Sequence, residues 1–302
     1  MTNNELIEKI KRLKEEKDAV ILAHYYVDGE VQAIADYVGD SFYLAKVATK
    51  IDKKVIVFCG VMFMGESAKI LNPEKIVLLP DETADCPMAH MAQIDRIKEL
   101  RAQYDDLAVV CYVNSTAELK MHSDICVTSS NALEIVESIP NKNIFFIPDQ
   151  NLGSFIKGKV KDKNIILNDG YCHVHHELSK ESVLKAMEEH KDAAFLVHPE
   201  CRKEIVDLAE YAGSTAGIID YATRSDKKEF IIGTELGVMY ELQVKNPDKK
   251  FYPAYEKQLC PNMKKITLET VADALENMKY EVKLTEEVID KANAPLKRML
   301  EY

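Results

Sequence analysis

A spacing of 86 to 88 residues recurs along this chain and constrains its fold more than any other feature. It links three short apolar runs that each stop at polar residues: AVILAHYY (19–26), LAVVCYVNS (107–115) and AAFLVHPE (193–200). The runs place His24, Tyr112 and His198 at equivalent positions, 88 and 86 residues apart. Self-similarity at a fixed period indicates a repeated structural unit. The spacing therefore predicts three copies of one unit.

A second set of residues has the same two spacings. Ser41, Ser129 and Thr215 are 88 and 86 residues apart, and each precedes a stretch with helical character. Serine and threonine are favoured at the N-cap of a helix, so we predict that these three residues cap the helices that follow.

The third set consists of cysteines. Cys86, Cys172 and Cys260 are 86 and 88 residues apart, and each closes a segment that leads from an apolar strand into a loop. The chain has seven cysteines and no CxxC pair. In a reducing compartment such residues are core thiols, metal ligands or nucleophiles rather than disulfides.

Short apolar strands alternate with amphipathic helices along the chain, which is typical of parallel sheets covered by helices. We predict an α/β protein of three homologous α/β/α sandwich domains, with boundaries 1–86, 87–172 and 173–265. The C-terminal helices, residues 266–302, are expected to pack back on the first domain. Because ligands bind outside the carboxyl ends of parallel strands, a pseudo-threefold arrangement would bring all three residue sets to one central cavity.

The cysteines divide by their surroundings. Cys59, Cys111 and Cys126 lie inside apolar strands and are predicted to be core residues. Cys201 lies just after a strand, where a role in packing or in supporting a site is as consistent as a role in chemistry. The spaced trio has Gly, Pro, Asp and Asn neighbours and is predicted to bind a metal.

Three thiolates select zinc, copper(I) or an iron–sulfur cluster and leave one coordination position open for a substrate. His173, His175 or His176 can supply a fourth ligand. Spacing alone leaves zinc and a cluster as alternatives.

The polar residues at strand and helix ends predict the ligand class. Three helix N-termini around one cavity suit a compact multi-anion such as a dicarboxylate or a phosphate ester. The wall of the cavity would be completed by residues that can act as general acids and bases or bind the ligand: His24, Tyr26, Tyr112, Asn114, His198 and Glu200.

Charge and composition exclude several other functions. The formal net charge of −11 argues against nucleic acid or an anionic membrane surface as a partner. Neither GxGxxG nor GxxxxGK[ST] occurs, so a nucleotide cofactor has no support. The N-terminus, residues 1–17, has the pattern of a charged amphipathic helix without the apolar core of a signal peptide, and no apolar run reaches the length of a membrane span. A soluble, cytoplasmic protein is expected.

Taken together, the motifs resemble the quinolinate synthase family. They are AHYY (23–26), GDS (39–41), DCPMA (85–89), YVNST (112–116), TSSNA (128–132), HPEC (198–201), GST (213–215), IGTE (232–235) and CPNMKK (260–265). The resemblance runs from about residue 20 to residue 300 with the motifs in the same order.

The resemblance implies three domains around a central 4Fe–4S cluster held by Cys86, Cys172 and Cys260, with one iron open. It implies condensation of iminoaspartate with dihydroxyacetone phosphate, with loss of phosphate and two waters, to give quinolinate for NAD synthesis. Aspartate oxidase or aspartate dehydrogenase would supply the imine. Tyr26, Glu200 and His198 would move protons. The substrate-binding positions would be His24, Ser41, Tyr112, Asn114, Ser129, His198, Glu200 and Thr215.

Two features depart from the family pattern. Some members carry a CxxCxxC run around the last ligand, whereas only Cys260 is present here, so no regulatory disulfide is expected. Tyr171 and His173 flank Cys172 in place of the residues expected there.

Three alternatives remain open at this point. They are a diphthamide-type radical enzyme that cleaves S-adenosylmethionine, a zinc lyase on the same scaffold, and a metal-binding sensor or scaffold that uses the three cysteines structurally. The dense set of Ser, Tyr, His and Glu residues favours a small enclosed anion over the protein partner that the diphthamide-type enzymes require.

Overall fold

The computed structural model describes all residues, 1–302, and contains three four-stranded sheets. The first sheet comprises β1 (Ala19–His24), β2 (Tyr37–Gly39), β3 (Val55–Cys59) and β4 (Ile76–Leu78). The second comprises β5 (Leu107–Tyr112), β6 (Ile125–Val127), β7 (Asn143–Ile147) and β8 (Asn164–Leu167). The third comprises β9 (Ala194–Val197), β10 (Tyr211–Ala212), β11 (Glu229–Gly233) and β12 (Lys250–Pro253).

Helices connect and cover these strands. The first group is α1 (Asn3–Glu16), α2 (Gly29–Ile34), α3 (Ser41–Ala48) and α4 (Met62–Leu71). The second is α5 (Ile94–Gln103), α6 (Ala117–Met121), α7 (Ala132–Ser138) and α8 (Gln150–Lys159). The third is α9 (His173–His176), α10 (Lys180–Glu189), α11 (Lys203–Val206), α12 (Thr215–Arg224) and α13 (Val238–Lys245). The chain ends with α14 (Leu268–Asn277) and α15 (Glu286–Leu300), and short 3₁₀ helices occupy Pro87–His90 and Met263–Lys265.

All three sheets have the same strand order. The orders are β2-β1-β3-β4, β6-β5-β7-β8 and β10-β9-β11-β12, and the strands pair in parallel. In each sheet the chain passes from the first strand to a neighbour on one side and then crosses back, so that the third and fourth strands lie on the other side. The strand order therefore reverses between the first and third strands. In open parallel sheets this reversal leaves a crevice at the carboxyl ends of those two strands, where ligands bind.

The strands form because their residues are apolar on both faces. Every residue of β1, β3 and β5 is buried, as expected for a parallel strand with helices on either side. The first helix begins where Thr2 accepts a hydrogen bond from the backbone N–H of Glu5 and the Glu5 carboxylate accepts one from the backbone N–H of Thr2. Leu6, Ile10 and Leu13 of that helix are buried.

The predicted fold class is confirmed, since three parallel sheets are flanked by helices. Each sheet falls inside one of the predicted segments 1–86, 87–172 and 173–265. The density of contacts groups the chain into two compact units. The first unit contains Met1–His90, Val113–Cys126 and Pro261–Tyr302, and the second contains Met91–Tyr112 and Val127–Cys260. The three domain boundaries stay a prediction.

The C-terminal helices belong to the first unit. Lys9 of α1 and Glu276 of α14 form an ion pair of 2.7 Å at the surface. The Asn293 side-chain amide of α15 donates to the carbonyl of Ile70 in α4 at 2.9 Å. Between these helices Glu281 forms an antiparallel bridge with Leu78 of β4, which extends the first sheet.

The predicted helix caps are wrong in detail. Asp40 caps α3 by accepting from Tyr43 N–H, and Ser214 caps α12 by accepting from Gly217 N–H. Ser41 and Thr215 are therefore the first helical residues. Asn131 occupies the N-cap position of α7, and Ser129 lies in the preceding turn. At α3 and α12, two adjacent residues are each suited to the N-cap position. In both helices the earlier residue is the cap, because its side chain accepts from the backbone N–H three residues later.

No helix combines the length and the apolar character needed to cross a membrane.

Candidate active site

The turn that follows β9 carries a buried histidine and a buried glutamate. His198 and Glu200 are 3% and 3% exposed. The backbone N–H of Glu200 donates to His198 Nδ1 at 3.3 Å, and the backbone N–H of Cys201 donates to the His198 carbonyl at 3.0 Å. We call residues 198–201 the third corner. Its backbone is fixed by its own hydrogen bonds, so both side chains are held at the carboxyl end of the strand.

The Glu200 carboxylate is surrounded by donors. Burial alone raises the pKa of Glu200, but His175, His198 and a hydrogen bond from Tyr112 outweigh it and lower the pKa to about 2. The Glu200 Oε2 atom lies 2.7 Å from His175 Nδ1. Glu200 is therefore an ionised carboxylate inside the protein at neutral pH.

His198 is held in one neutral form. Burial lowers the pKa of His198 to about 3, although Glu200 opposes that shift. Because its Nδ1 accepts the backbone N–H of Glu200, the ring proton of neutral His198 is on Nε2. The Nε2 atom lies 3.2 Å from Ser129 Oγ and can donate to it. The 3.9 Å approach of Nδ1 to Glu200 Oε2 is consequently not an ion pair.

His175 connects Glu200 to Cys172. Its Nδ1 lies 2.7 Å from Glu200 Oε2 and 3.2 Å from Cys172 Sγ, while Nε2 lies 2.9 Å from Thr234 Oγ1. Since a carboxylate only accepts, the His175 Nδ1 carries the proton of that bond. The ligand atoms of Cys172, His175 and Glu200 all lie within 4.8 Å of one another, so these three residues can hold a metal ion. Of the three histidines predicted as a fourth ligand, His175 is the one in this group.

The seven cysteines divide as the sequence predicted. Cys59, Cys111 and Cys126 are completely buried, and burial raises the pKa of the Cys59 thiol. Cys201 is 1% exposed in the core beneath the third sheet, and burial followed by the Glu200 charge raises the pKa of its thiol. The spaced trio differs, because all its members are partly exposed on loops: Cys86, Cys172 and Cys260.

The three loops that carry this trio share one backbone connection. We call residues 84–86, 170–172 and 258–260 the cysteine loops. In each loop the backbone carbonyl of the residue two positions before the cysteine accepts a hydrogen bond. The donor is the backbone N–H of the third residue after the third strand of the same sheet, counted in chain order. These bonds are Met62 N–H to Ala84 O (2.9 Å), Gln150 N–H to Gly170 O (2.7 Å) and Leu236 N–H to Gln258 O (3.0 Å).

The donors of these bonds repeat with the spacing of the sequence motifs, and so do the acceptors. At Gly170 the approach is so close that a Cβ atom would lie 2.5 Å from the Pro148 carbonyl oxygen, so glycine is required there. The repeat in the sequence is thus a repeat in the construction of the cysteine loops.

Two buried carboxylates near these loops are not among the site residues predicted from the sequence. Asp149 and Glu235 are completely buried, and each accepts from the backbone N–H of a cysteine. Cys172 N–H donates to Asp149 Oδ2 at 3.2 Å, and Cys260 N–H donates to Glu235 Oε1 at 3.0 Å. Burial and the nearby Glu200 charge raise the pKa of Asp149 well above its ordinary value. Their separation of 86 residues, directly after β7 and β11, is the signal that could have found them.

In the first unit the turn after β1 repeats the third corner. We call residues 24–27 the first corner. The backbone N–H of Tyr26 donates to His24 Nδ1 at 3.2 Å, and Val27 N–H donates to the His24 carbonyl at 3.1 Å. The rings of His24 and Tyr26 pack edge to face with centroids 4.6 Å apart. Lys264, from the CPNMKK segment, donates to the Tyr26 carbonyl at 2.8 Å.

The remaining predicted residues lie at element ends. In the first unit Ser41 begins α3 and lines a small enclosed apolar cavity with Phe58 and Met64. Asn114 is half-buried in the turn after β5, where the buried Lys120 ammonium donates to the Ser115 carbonyl. Cys86 N–H donates to Asp85 Oδ1 at 2.8 Å.

In the second unit the structure brings the third corner together with residues from the second sheet. Tyr112 hydrogen-bonds to Glu200, and Ser129 lies against His198. Thr215 is buried at the first position of α12.

Comparison with known proteins gives matches over nearly the whole chain. The sequence model of a family described as Quinolinate synthetase A protein matches residues 8–301. A relative named quinolinate synthase, from Fusobacterium nucleatum subsp. nucleatum, is 56% identical over 97% of this chain and 98% of its own length. A relative of the same name from Caldicellulosiruptor saccharolyticus is 54% identical over 98% and 99%. Quinolinate synthase 2 of Methanosarcina acetivorans is 50% identical over 99% and 96%.

Proposed function

This chain belongs to the quinolinate synthetase A protein family, and from that premise we propose that it is a quinolinate synthase. The family's curated members bear the name of an enzyme, and this chain is an enzyme. The proposed reaction condenses iminoaspartate with dihydroxyacetone phosphate to quinolinate, with loss of phosphate and two waters, in NAD biosynthesis. The observation that carries the proposal is the 56% identity with the Fusobacterium relative along 97% of this chain.

A 4Fe–4S cluster is the cofactor that the proposal requires. Cys86, Cys172 and Cys260 would hold it, and their partial exposure on three loops of common construction fits that group. With three protein ligands, such a cluster would keep one iron open and would supply Lewis-acid chemistry to the site. The remaining roles fall to side chains of the protein.

Substrate carboxylates are proposed to bind at strand and helix ends. Ser41 and Thr215 begin α3 and α12, where the helix dipole favours a negative charge. Ser129 and Asn114 offer a hydroxyl and an amide in the turns after β6 and β5. The full proposed binding set is His24, Ser41, Tyr112, Asn114, Ser129, His198, Glu200 and Thr215.

His198 would act as a neutral donor. With Nδ1 occupied by the Glu200 N–H, its Nε2–H is the group that can face a substrate oxygen or Ser129. Because burial keeps the pKa of His198 near 3, the ring does not supply a cationic acid at neutral pH. A fixed N–H donor in a buried site stabilises charge that develops on an oxygen during reaction.

Glu200 and Tyr26 are assigned the proton transfers. An ionised, buried carboxylate can take a proton from a substrate carbon or nitrogen, while the His175 Nδ1–H group holds its Oε2 atom in place. The Tyr26 phenol can give a proton to a leaving hydroxyl. Tyr26 lies two residues after β1 and Glu200 three residues after β9, so both sit where the first strand of a parallel sheet ends.

The proposal also includes a cytoplasmic location and a supply of imine by an aspartate oxidase or an aspartate dehydrogenase. The proposed supply follows from the chemistry of the substrate, since iminoaspartate is formed by oxidation of aspartate.

Anaerobic purification followed by iron, sulfide and zinc analysis, combined with a quinolinate assay, tests the proposal. The wild-type protein should contain iron and sulfide and should form quinolinate. Cys172→Ser should lose both, whereas Cys126→Ala, which changes a completely buried cysteine of β6, should keep both. Iron without quinolinate formation would leave the fold intact but remove the function.

A single divalent metal at Cys172, His175 and Glu200 is the second candidate, because their ligand atoms form one compact group. A thiolate, an imidazole and a carboxylate are a common donor set for zinc. Stoichiometric zinc with no sulfide in active protein would favour this alternative.

A further inference from the structure

Two of the three cysteine loops are each bound by a completely buried carboxylate, Asp149 or Glu235, which has no part in the proposed reaction. Asp149 Oδ1 accepts from Leu152 N–H at 2.6 Å, and its Oδ2 accepts from Cys172 N–H. Glu235 Oε2 accepts from Gly237 N–H at 2.6 Å, and its Oε1 accepts from Cys260 N–H. Each carboxylate thus joins the backbone of a cysteine to the start of the helix that follows the third strand.

The first cysteine loop is fastened differently. Val61 stands at the position that corresponds to Asp149, and it has no side-chain acceptor. Cys86 N–H is instead held by Asp85, a neighbour in the same loop whose side chain is 44% exposed. Three cysteine amides are therefore bound by carboxylates, two of them buried and one open to water.

We propose that Asp149 and Glu235 are positioning residues that fix Cys172 and Cys260 for the iron–sulfur cluster, an inference that rests on the proposed function. A buried carboxylate bonded through both oxygens to backbone N–H groups cannot shift without leaving donors unsatisfied. The backbone of each cysteine is consequently held to the carboxyl end of its sheet. Ligands need such support, since metal sites depend on the groups that orient the ligating residues.

Asp149→Asn and Glu235→Gln test the inference, because each keeps the shape but offers one accepting oxygen in place of two. The shorter bond to the helix should retain that oxygen, and the new NH₂ group should then face the cysteine N–H. We expect iron release to a chelator to be about tenfold faster in each variant, the effect of losing one buried hydrogen bond. The electron paramagnetic resonance spectrum of the reduced cluster should also change.

Two further variants separate this role from general stability. Asp106→Asn alters an exposed carboxylate that accepts from Lys142 N–H at the amino end of the second sheet, and it should release iron at the wild-type rate. Asp85→Asn should have an effect below about twofold, because water can satisfy an exposed N–H. Thermal unfolding of the cluster-free proteins measures the contribution to the fold.

Faster release together with an altered spectrum in each variant supports the inference, because loss of stability in the cluster-free chain does not by itself change the spectrum of the cluster that remains bound. Wild-type release rates and spectra in both variants would overturn this inference and leave the proposed function unaffected. Accelerated release with a wild-type spectrum also overturns the inference, because the loss of stability in the cluster-free chain then accounts for the release. A wild-type protein without iron and sulfide overturns the inference together with the proposed function.

Discussion

The first and third corners have the same backbone and different chemistry. In both, a buried histidine ends or follows the first strand of its sheet and accepts the backbone N–H two residues later through Nδ1. In both, the next N–H donates to the carbonyl of that histidine, at 3.1 Å from Val27 and 3.0 Å from Cys201. The residue whose N–H is bound by the histidine Nδ1 is Tyr26 in the first corner and Glu200 in the third.

The difference shows which part of the repeat is structural. The histidine builds the turn and has its Nδ1 occupied, so each corner offers an Nε2–H. The residue two positions after the histidine contributes only its backbone N–H to these two hydrogen bonds. Its side chain can therefore differ between the corners: it is a partly exposed phenol at Tyr26 and a carboxylate that is 3% exposed at Glu200. One turn geometry can thus present a proton donor in one copy and a proton acceptor in another.

Replacing the carboxylate should have the largest effect. Glu200→Gln keeps the size of the side chain but removes the charge and the acceptor for His175 Nδ1, so quinolinate formation should fall about 10³-fold. Iron content should stay at the wild-type value. Glu204→Gln, an exposed change in the neighbouring α11, is the matched control. A residual rate within about threefold of wild type would remove Glu200 from the proton transfers.

Replacing the phenol should have a smaller but still large effect. Tyr26→Phe keeps the ring that packs on His24 and removes only the hydroxyl, so turnover should fall about 10²-fold while the cluster is retained. Tyr240→Phe, at an exposed position of α13, is the control. Wild-type turnover in Tyr26→Phe would mean that the first corner binds substrate without doing acid–base chemistry.

The sequence predicted the repeated part of the molecule better than its supporting contacts. Spacing and apolar runs located the three first strands and separated the buried cysteines, because burial of a strand or a core thiol depends on local composition. The sequence predicts Thr215 as the cap of α12, one residue after the observed cap Ser214, since both residues are suited to that position. The distinction depends on which hydroxyl reaches a backbone N–H, and that is decided by the path of the turn.

The buried carboxylates could not be recognised from composition. Asp149 stands in PDQN and Glu235 in GTELG, and both segments look like polar loops. Their burial results from the approach of a cysteine loop that lies more than 20 residues away in sequence, as the bond from Cys172 to Asp149 shows. The roles of the predicted site residues stay predictions.

Acid should destabilise the third corner through His198. The folded protein holds the pKa of His198 near 3, whereas the unfolded chain has the ordinary value of 6.5. Below pH 6.5 the unfolded chain therefore binds a proton that the folded protein does not bind, and stability falls as the pH is lowered.

Between pH 7 and pH 5 the free energy of unfolding should consequently fall by about 2 kcal/mol less in His198→Asn than in the wild type. Urea unfolding of the cluster-free proteins at the two pH values measures this difference. Equal losses in the two proteins would mean that His198 is protonated in the folded state.

The smallest effect concerns the histidine bond that the two corners share. In His24→Asn the side-chain oxygen lies near the former Nδ1 and can still accept the Tyr26 N–H, whereas in His24→Gln the amide lies near the former Nε2 and leaves that N–H without its acceptor. The Asn variant should therefore be about 1 kcal/mol more stable than the Gln variant in urea unfolding of the cluster-free protein. The same difference is expected between His198→Asn and His198→Gln, because Glu200 N–H makes the equivalent bond. A difference at one corner and none at the other would show that the two turns are held by different interactions despite their equal geometry.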